Sequence, residues 1–277
     1  MHGLVFLLGL PCAFGLALPP ASTSELVNAA ARSIRSAMQS GLNRQSIELF
    51  IPLEPTVKPE DLDPWPGGLR QMSQTAVPIA RAILKQVVPG CEIVEAAVSA
   101  DDAVTQLQAQ AAAAADDAVV VVFASPDHLD ALRAIDAAAG ERLVVLFNAQ
   151  FDSQADLGFF KRNDARNAEL WGPSKSLKQG RFPLTYCAQQ LSVRSEDVRL
   201  CYDHGAGWRA FVVEDNVFDG QSLVADGVSA PLHEGTLDAR PDYKELERLV
   251  IAKLPSPVYM RRLKDATNLG PRFNRKE

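Results

Sequence analysis

Polar side chains follow two strongly apolar segments of the chain, and they are the first candidates for chemistry. The two segments, residues 118–123 and 142–147, read as buried parallel strands, and ligands of open parallel sheets bind beyond the carboxyl ends of the strands. Each candidate also has a purely structural interpretation, as a helix cap, a first-turn charge or a turn hydrogen bond. The candidate ligand-binding residues are Ser125, Asp127, Asn148, Gln150 and Asp152.

Two basic segments stand out from an otherwise acidic chain. Residues 161–182 and residues 261–277 each hold six basic and two acidic side chains, a net +4 in each segment. Since the whole chain carries −6, the remainder carries −14. Such segments suit docking to an anionic partner or a membrane surface, although solvated loops have the same composition. The candidate docking residues are Lys161, Arg162, Lys175, Lys178, Arg181, Arg261 and Arg262.

Two further motifs favour structural interpretations. Gly205, Gly207 and Ala210 match G-x-G-x-x-A, but strand-like residues follow where a dinucleotide site needs a helix, so a glycine hairpin is expected. Cys201-x-x-His204 and Cys187 supply three possible zinc ligands where a closed site needs four. No phosphate-binding P-loop motif occurs, and we expect neither a cofactor nor a metal.

Composition limits the class of protein. The chain has 277 residues, with 28 Lys and Arg against 34 Asp and Glu, which argues against a general nucleic-acid binder. Four cysteines do not make a disulfide scaffold. The length suits one large or two small domains, and the pattern along the chain favours a single α/β domain over residues 22–256. A basic tail, residues 257–277, follows it.

The first 18 residues contain no Lys, Arg, Asp or Glu and resemble a signal peptide, so residues 1–21 are read as a targeting segment. Cleavage after Ala13 would leave Phe14 at the new N-terminus, as in the two-part plastid presequences of algae with secondary plastids. Secretion is the alternative, and a buried N-terminal strand is a third interpretation. No other window is apolar enough to cross a membrane as a helix.

Hydrophobic periodicity predicts alternating helices and strands over the first half of the domain. Ser22 and Glu25 form a capping box for a helix that Gly41 closes. Pro78 should break or kink a second helix that starts at Gly68. Further helices are expected over residues 101–114 and after Ser125, with strands over 46–51, 91–96, 118–123 and 142–147. This order predicts a Rossmann-like, mostly parallel sheet flanked by helices.

The last third of the chain predicts an antiparallel extension. Strand patterns cover residues 182–188, 198–202 and 208–213, and a glycine turn joins the last two. A final helix is expected over residues 242–253. Residues 53–66 and 153–182 have loop composition.

Three stretches together resemble the plant, algal and cyanobacterial family called domain of unknown function 1995. They are ELVNAAARSIRSAMQSGLNRQSIELFIP (residues 25–52), RLVVLFNAQFDSQADLG (residues 142–158) and residues 186–214, which contain YCAQQL and WRAFVVE. Their order and spacing carry the resemblance, which covers about residues 22–250. The proline-rich segment 53–66 and the basic tail depart from the family pattern.

The resemblance implies a location and a kind of function. Members of that family include a chloroplast factor for photosystem II accumulation and a domain fused to a plastid adenylate kinase. The chain is therefore expected in the plastid, as a non-enzymatic accessory factor with a photosystem or thylakoid complex as partner and possible peripheral membrane contact. The family offers no catalytic residues to carry over. The alternative is a small-molecule or nucleotide-binding α/β enzyme acting at the strand ends.

Overall fold

The computed structural model describes residues 18–51, 68–157, 165–171, 176–213 and 229–256. The helices are α1 (Thr23–Gln39), α2 (Gly68–Val87), α3 (Leu129–Ala139), the single turn α4 (Ala168–Trp171) and α5 (Tyr243–Lys253). The strands are β1 (Arg44–Leu49), β2 (Glu92–Ser99), β3 (Val104–Gln110), β4 (Ala118–Val122), β5 (Leu143–Phe147), β6 (Leu184–Val193), β7 (Glu196–Asp203), β8 (Gly207–Val213) and β9 (Ser229–Pro231).

All of these strands form one sheet in the order β2-β3-β4-β5-β1-β6-β7-β8-β9. The contacts β4–β5, β5–β1 and β1–β6 are parallel, and the other five are antiparallel. The expected mixed α/β class and antiparallel C-terminal extension are confirmed. The expectation of a mostly parallel sheet is wrong, because a second antiparallel hairpin adds β2 and β3 at the opposite end.

That hairpin contains the clearest error of the sequence prediction. Residues 101–114 were expected to form a helix, but β3 occupies Val104–Gln110 and pairs with both β2 and β4. Its Ala- and Gln-rich composition favours a helix in isolation. Pairing on both edges, with Leu107 and Ala109 fully buried, outweighs that preference of about a few tenths of a kcal/mol per residue.

The helices cover the two faces of the sheet through alternating strand residues. On one face, α1 and α2 pack on Ile47, Leu49, Val120 and Val145. On the opposite face, α3 packs on the intervening residues of β4 and β5, and α5 packs on β6, β7 and β8. We call these the α1 face and the α3 face.

Local signals set most helix boundaries as expected. Ser22 Oγ accepts a hydrogen bond from Glu25 N at 3.2 Å, and Gly41 has φ +82°, so the predicted cap and terminus of α1 are confirmed. Asp242 caps α5 by accepting from Glu245 N at 2.8 Å. The helix α2 continues through Pro78, so the predicted break does not occur.

Several sequence predictions fall outside the described residues. They concern the targeting segment up to residue 17, the loop 53–66 and the basic tail. The candidate docking residues Lys161, Arg162, Lys175, Arg261 and Arg262 also lie outside the described ranges. In the part of the chain that the structure describes, no helix is long and apolar enough to cross a membrane.

Candidate functional site

The carboxyl ends of β1, β4 and β5 lie at one edge of the sheet, and the predicted strand-end residues follow β4 and β5 there. Asn148 directly follows β5 and has φ +50°, a left-handed conformation that asparagine tolerates. Its Oδ1 accepts from Leu49 N at 2.7 Å, and its Nδ2 donates to Leu49 O at 2.8 Å. The side chain thus continues the pairing of β5 with β1 by one step.

Gln150 is also bound to the backbone. Its Nε2 donates to Phe123 O at 3.0 Å, and its main-chain N donates to Ala124 O at 2.8 Å. Phe123, at the end of β4, has φ +59°, which is unusual for a bulky residue. These hydrogen bonds help to hold the turn after β4 in that strained conformation.

Ser125 starts the helical segment after β4, as predicted, and belongs to a Ser–His–Asp chain. Its Oγ accepts from Asp127 N at 3.3 Å and lies 2.7 Å from His128 Nδ1. His128 Nε2 lies 3.1 Å from Asp102 Oδ2. The order nucleophile, imidazole and carboxylate is that of a hydrolytic triad, with the two ring nitrogens exchanged: in the serine-protease triad the serine faces Nε2 and the aspartate faces Nδ1. However, Pro126 follows Ser125 and has no N–H, so the usual first donor of an oxyanion hole is missing.

A buried ion cluster lies beside this edge, on the α3 face. Glu48 of β1 forms a close ion pair with Lys178, and their side chains are only 10% and 13% exposed. Glu48 Oε2 also accepts from Gln189 Nε2 at 2.7 Å and lies 3.6 Å from Arg240 Nη1. Asp152 lies 3.5 Å from Lys178 Nζ. The candidate docking residue Lys178 therefore lies inside the fold with its charge balanced.

Sequence reasoning missed Glu48 and Arg240. The available signal was a single acidic residue inside the apolar segment of residues 46–51. A buried carboxylate needs a cationic partner, but its partners lie at residues 178 and 240, and spacing alone does not reveal such distant contacts. Arg240 also stacks over the Trp208 ring at 5.5 Å from its centroid.

Arg181, the other described docking candidate, binds Asp136 with Nε 2.5 Å from Oδ2, and its side chain is 40% exposed. Burial alone would raise the pKa of Asp136, but hydrogen bonds from Arg181 and Arg44 outweigh it and lower the pKa. Arg181 therefore attaches the segment before β6 to α3.

A cleft of about 280 Å³ opens on the α1 face, beside the carboxyl end of β1 and the start of α1. Leu26, Phe50 and Ala188 give it an apolar lining, and Cys201 is among its lining residues. Burial raises the pKa of the Cys201 thiol to about 11, so this thiol is neutral and weakly nucleophilic at neutral pH. Glu25 Oε2 accepts from Ala21 N at 2.8 Å and so places a negative charge at the start of α1. The lining of the cleft is therefore mainly apolar, and it includes the cation Arg199.

The possible zinc ligands do not converge. Ala188 pairs with Cys201, so Cys201 lies on the same face as Ala188 and on the opposite face from Cys187. Burial, followed by the nearby Glu48 charge, raises the pKa of the Cys187 thiol. Within the described ranges, no three His, Cys, Asp or Glu side chains are grouped closely enough to hold a metal ion. Gly205 and Gly207 have φ +83° and +87° in the turn between β7 and β8, which confirms the predicted hairpin.

These features define a mixed α/β protein with a short parallel centre, antiparallel hairpins at both ends, and the strand-end side chains of Asn148 and Gln150 bound to its own backbone. The chain belongs to the family described as domain of unknown function (DUF1995), whose model matches residues 20–248. No curated protein and no solved structure shows a significant match to the chain.

Proposed function

We propose that this protein is a non-enzymatic plastid accessory factor that assists the assembly of photosystem II or another thylakoid complex. The observation that carries the proposal is the engagement of the strand-end side chains by the backbone. Both polar atoms of Asn148 bind Leu49, and Gln150 binds Phe123. Because these amide groups already bind the main chain, this edge of the sheet has fewer polar groups available to a substrate, which favours a binding role over catalysis. Family membership and the signal-like first 18 residues support the plastid location.

Docking in this proposal uses the two basic segments. Lys178 and Arg181 already form ion pairs within the fold, so Lys161, Arg162 and Lys175 are the docking residues proposed for segment 161–182. Together with the tail, these would meet an acidic protein surface or the anionic face of a membrane, without specific nucleic-acid binding.

The first experiment combines location with loss of function. The full chain with a fluorescent protein at its C-terminus should enter the plastid, and disruption of the gene should lower photosystem II levels. Wild-type chain should restore these levels, whereas a chain with Arg261→Glu and Arg262→Glu should restore them only in part. A fusion outside the plastid, or normal photosystem II in the disrupted line, contradicts the proposal. Recovery of the chain from the culture medium favours secretion instead.

The second candidate is a small-molecule enzyme at the strand ends, and the Ser125–His128–Asp102 chain is the observation that favours it. This candidate depends on interpreting the parallel strands at the centre of the sheet as a Rossmann-like core with a ligand at their carboxyl ends. The missing N–H of Pro126 places it second, because a tetrahedral intermediate would lack that donor.

Two assays separate the candidates. If the enzyme candidate is right, a fluorophosphonate probe should label the wild-type chain at Ser125 and should not label Ser125→Ala. If it is wrong, neither protein should be labelled. A thermal-shift screen with nucleotides and phosphorylated metabolites adds a test of binding. A ligand that stabilises the wild type but not Asn148→Ala favours the enzyme, whereas no labelling and no shift favour the accessory factor.

A further inference from the structure

The outer edge of β2 is a long strand edge with no pairing partner among the described residues. β2 lies at one end of the sheet order, and only β3 pairs with it. Five of its eight residues are exposed, on both faces of the sheet, and Val94 is 43% exposed. Such an edge leaves a row of main-chain N–H and C=O groups available to another strand.

The usual protection of an edge strand is weak here. Residues 92–99 contain no Lys and no Pro, and the two charged residues on the strand, Glu92 and Glu95, are both acidic. A bulge between Ala97 and Ser99 disturbs the register only near the end of the strand. Glu92 to Ala97 therefore form a regular, accessible edge that is rich in Val, Ile and Ala.

The charge around this edge indicates what it can pair with. Residues 91–117 carry six carboxylates and no Lys, Arg or His. Glu92 is exposed on the strand itself, and Asp102, 56% exposed in its side chain, lies in the turn that follows. Arg81 of α2 pairs with Glu95, and Arg142 pairs with Asp117. The half-exposed Asp102 also contacts His128. Two copies of this edge would bring like charges together, whereas a basic strand would be attracted.

We propose that the β2 edge binds an extended basic segment of a partner protein by adding it to the sheet as a further strand. Main-chain hydrogen bonds supply the binding, and Lys or Arg side chains of the partner, placed among β-branched residues, lie near the Glu92 and Asp102 carboxylates. This inference rests on the proposed accessory function, because it adds a second docking surface, of opposite charge, to the two basic segments.

The test measures binding of the labelled peptide KVTVKVTVK to the full-length chain by fluorescence anisotropy at low salt. Its charge-reversed form EVTVEVTVE and a form with Pro at alternate positions serve as controls. We expect the lysine peptide to bind at least about tenfold more tightly than either control, because attraction and strand pairing are both needed. Hydrogen exchange should slow at the amides of residues 92–99 in the complex.

A variant pair locates the binding surface. Glu92→Lys/Ala96→Lys changes two exposed β2 residues and should weaken binding roughly tenfold. Glu234→Lys/Ala206→Lys makes the same two replacements at exposed positions elsewhere and should leave binding nearly unchanged. Circular dichroism confirms that both variants are folded.

Several outcomes overturn the inference. They are absence of peptide binding, equal binding of the charge-reversed peptide, equal weakening by both variants, and protection of amides away from β2. A dimer that Glu92→Lys/Ala96→Lys dissociates assigns the edge to a second copy instead. Because the assay uses purified protein, its failure removes the β2 edge as a docking surface and leaves the gene-disruption test of the accessory function intact.

Discussion

The ion pair between Glu48 and Lys178 is the residue contact with the largest expected effect on stability. Both side chains are nearly buried, and Lys178 belongs to the segment that leads into β6, whereas Glu48 lies in the central strand β1. The pair therefore attaches that segment to the middle of the sheet. A buried pair contributes modestly when intact, but losing one partner leaves an uncompensated charge.

We predict that Lys178→Met lowers the free energy of unfolding by about 3 kcal/mol, because Glu48 then loses its closest cation and keeps Gln189, the Cys187 thiol and the more distant Arg240 as partners. Urea titrations followed by circular dichroism measure the change. The double variant Glu48→Gln/Lys178→Met should recover more than half of the lost free energy of unfolding, since it no longer contains the buried Glu48 charge. The control Lys85→Met, at an exposed site on α2, should stay within about 0.5 kcal/mol of wild type. An equally small effect of Lys178→Met would show that the pair is not buried in solution.

The raised pKa of the Cys201 thiol predicts how the free energy of unfolding depends on pH. Its thiol pKa is raised by burial to about 11 in the folded chain, whereas an unfolded thiol loses its proton near pH 9. Between these values the folded state binds more protons than the unfolded state, so the free energy of unfolding falls as pH rises from about 9 to 11. The contribution of Cys201 is about 2 to 3 kcal/mol. Urea titrations from pH 7 to 11 should therefore show a smaller fall for Cys201→Ala, and parallel curves for the two proteins contradict the prediction.

At the scale of elements, Pro78 makes α2 less stable than the same helix would be with an ordinary helix-forming residue at that position. The proline is exposed in the middle of the helix and has no N–H to donate to the carbonyl of Gln74. Pro78→Ala restores that hydrogen bond without loss of packing. Part of the gain in stability is offset because the unfolded chain becomes more flexible without the proline. We predict a gain of about 2 kcal/mol, measured as a higher urea midpoint and melting temperature. Gln74→Ala, one turn earlier on the exposed surface, is the control, and a lower midpoint for Pro78→Ala contradicts the prediction.

Elements with strong local signals could be predicted from sequence, and β3 shows where such signals fail. The cap at Ser22, the valine-rich β4 and the glycine hairpin after β7 depend on neighbouring residues, and all three are present. β3 has helix-forming composition and becomes a strand because β2 and β4 pair with it. The same limit applies to the site. The positions of Ser125 and Asn148 were predictable, but the partners of Glu48 depend on the folded chain.

At the scale of the whole molecule, the central position of β1 couples the two halves of the sheet. β1 pairs with β5 on one side and with β6 on the other, and its apolar residues pack under α1 and α2. The cluster that contains Trp171 lies toward the β2 end of the sheet, and the cluster that contains Trp208 lies toward the β9 end. Separating them would expose the facing edges of β1 and β6 and break the contacts of Glu48 with Gln189 and Arg240.

We therefore predict that the described domain unfolds in a single transition, although chains longer than about 150 residues often populate intermediates. Trp65→Phe/Trp208→Phe leaves Trp171 as the only tryptophan, and Trp65→Phe/Trp171→Phe leaves Trp208. In each variant, the urea midpoint from tryptophan fluorescence should coincide with the midpoint from far-ultraviolet circular dichroism. Comparison within one variant removes the effect of the substitutions on overall stability. If the Trp208 signal changes at lower urea than the circular dichroism of the same variant, β7 to β9 and α5 unfold separately, and β1 does not couple the two halves.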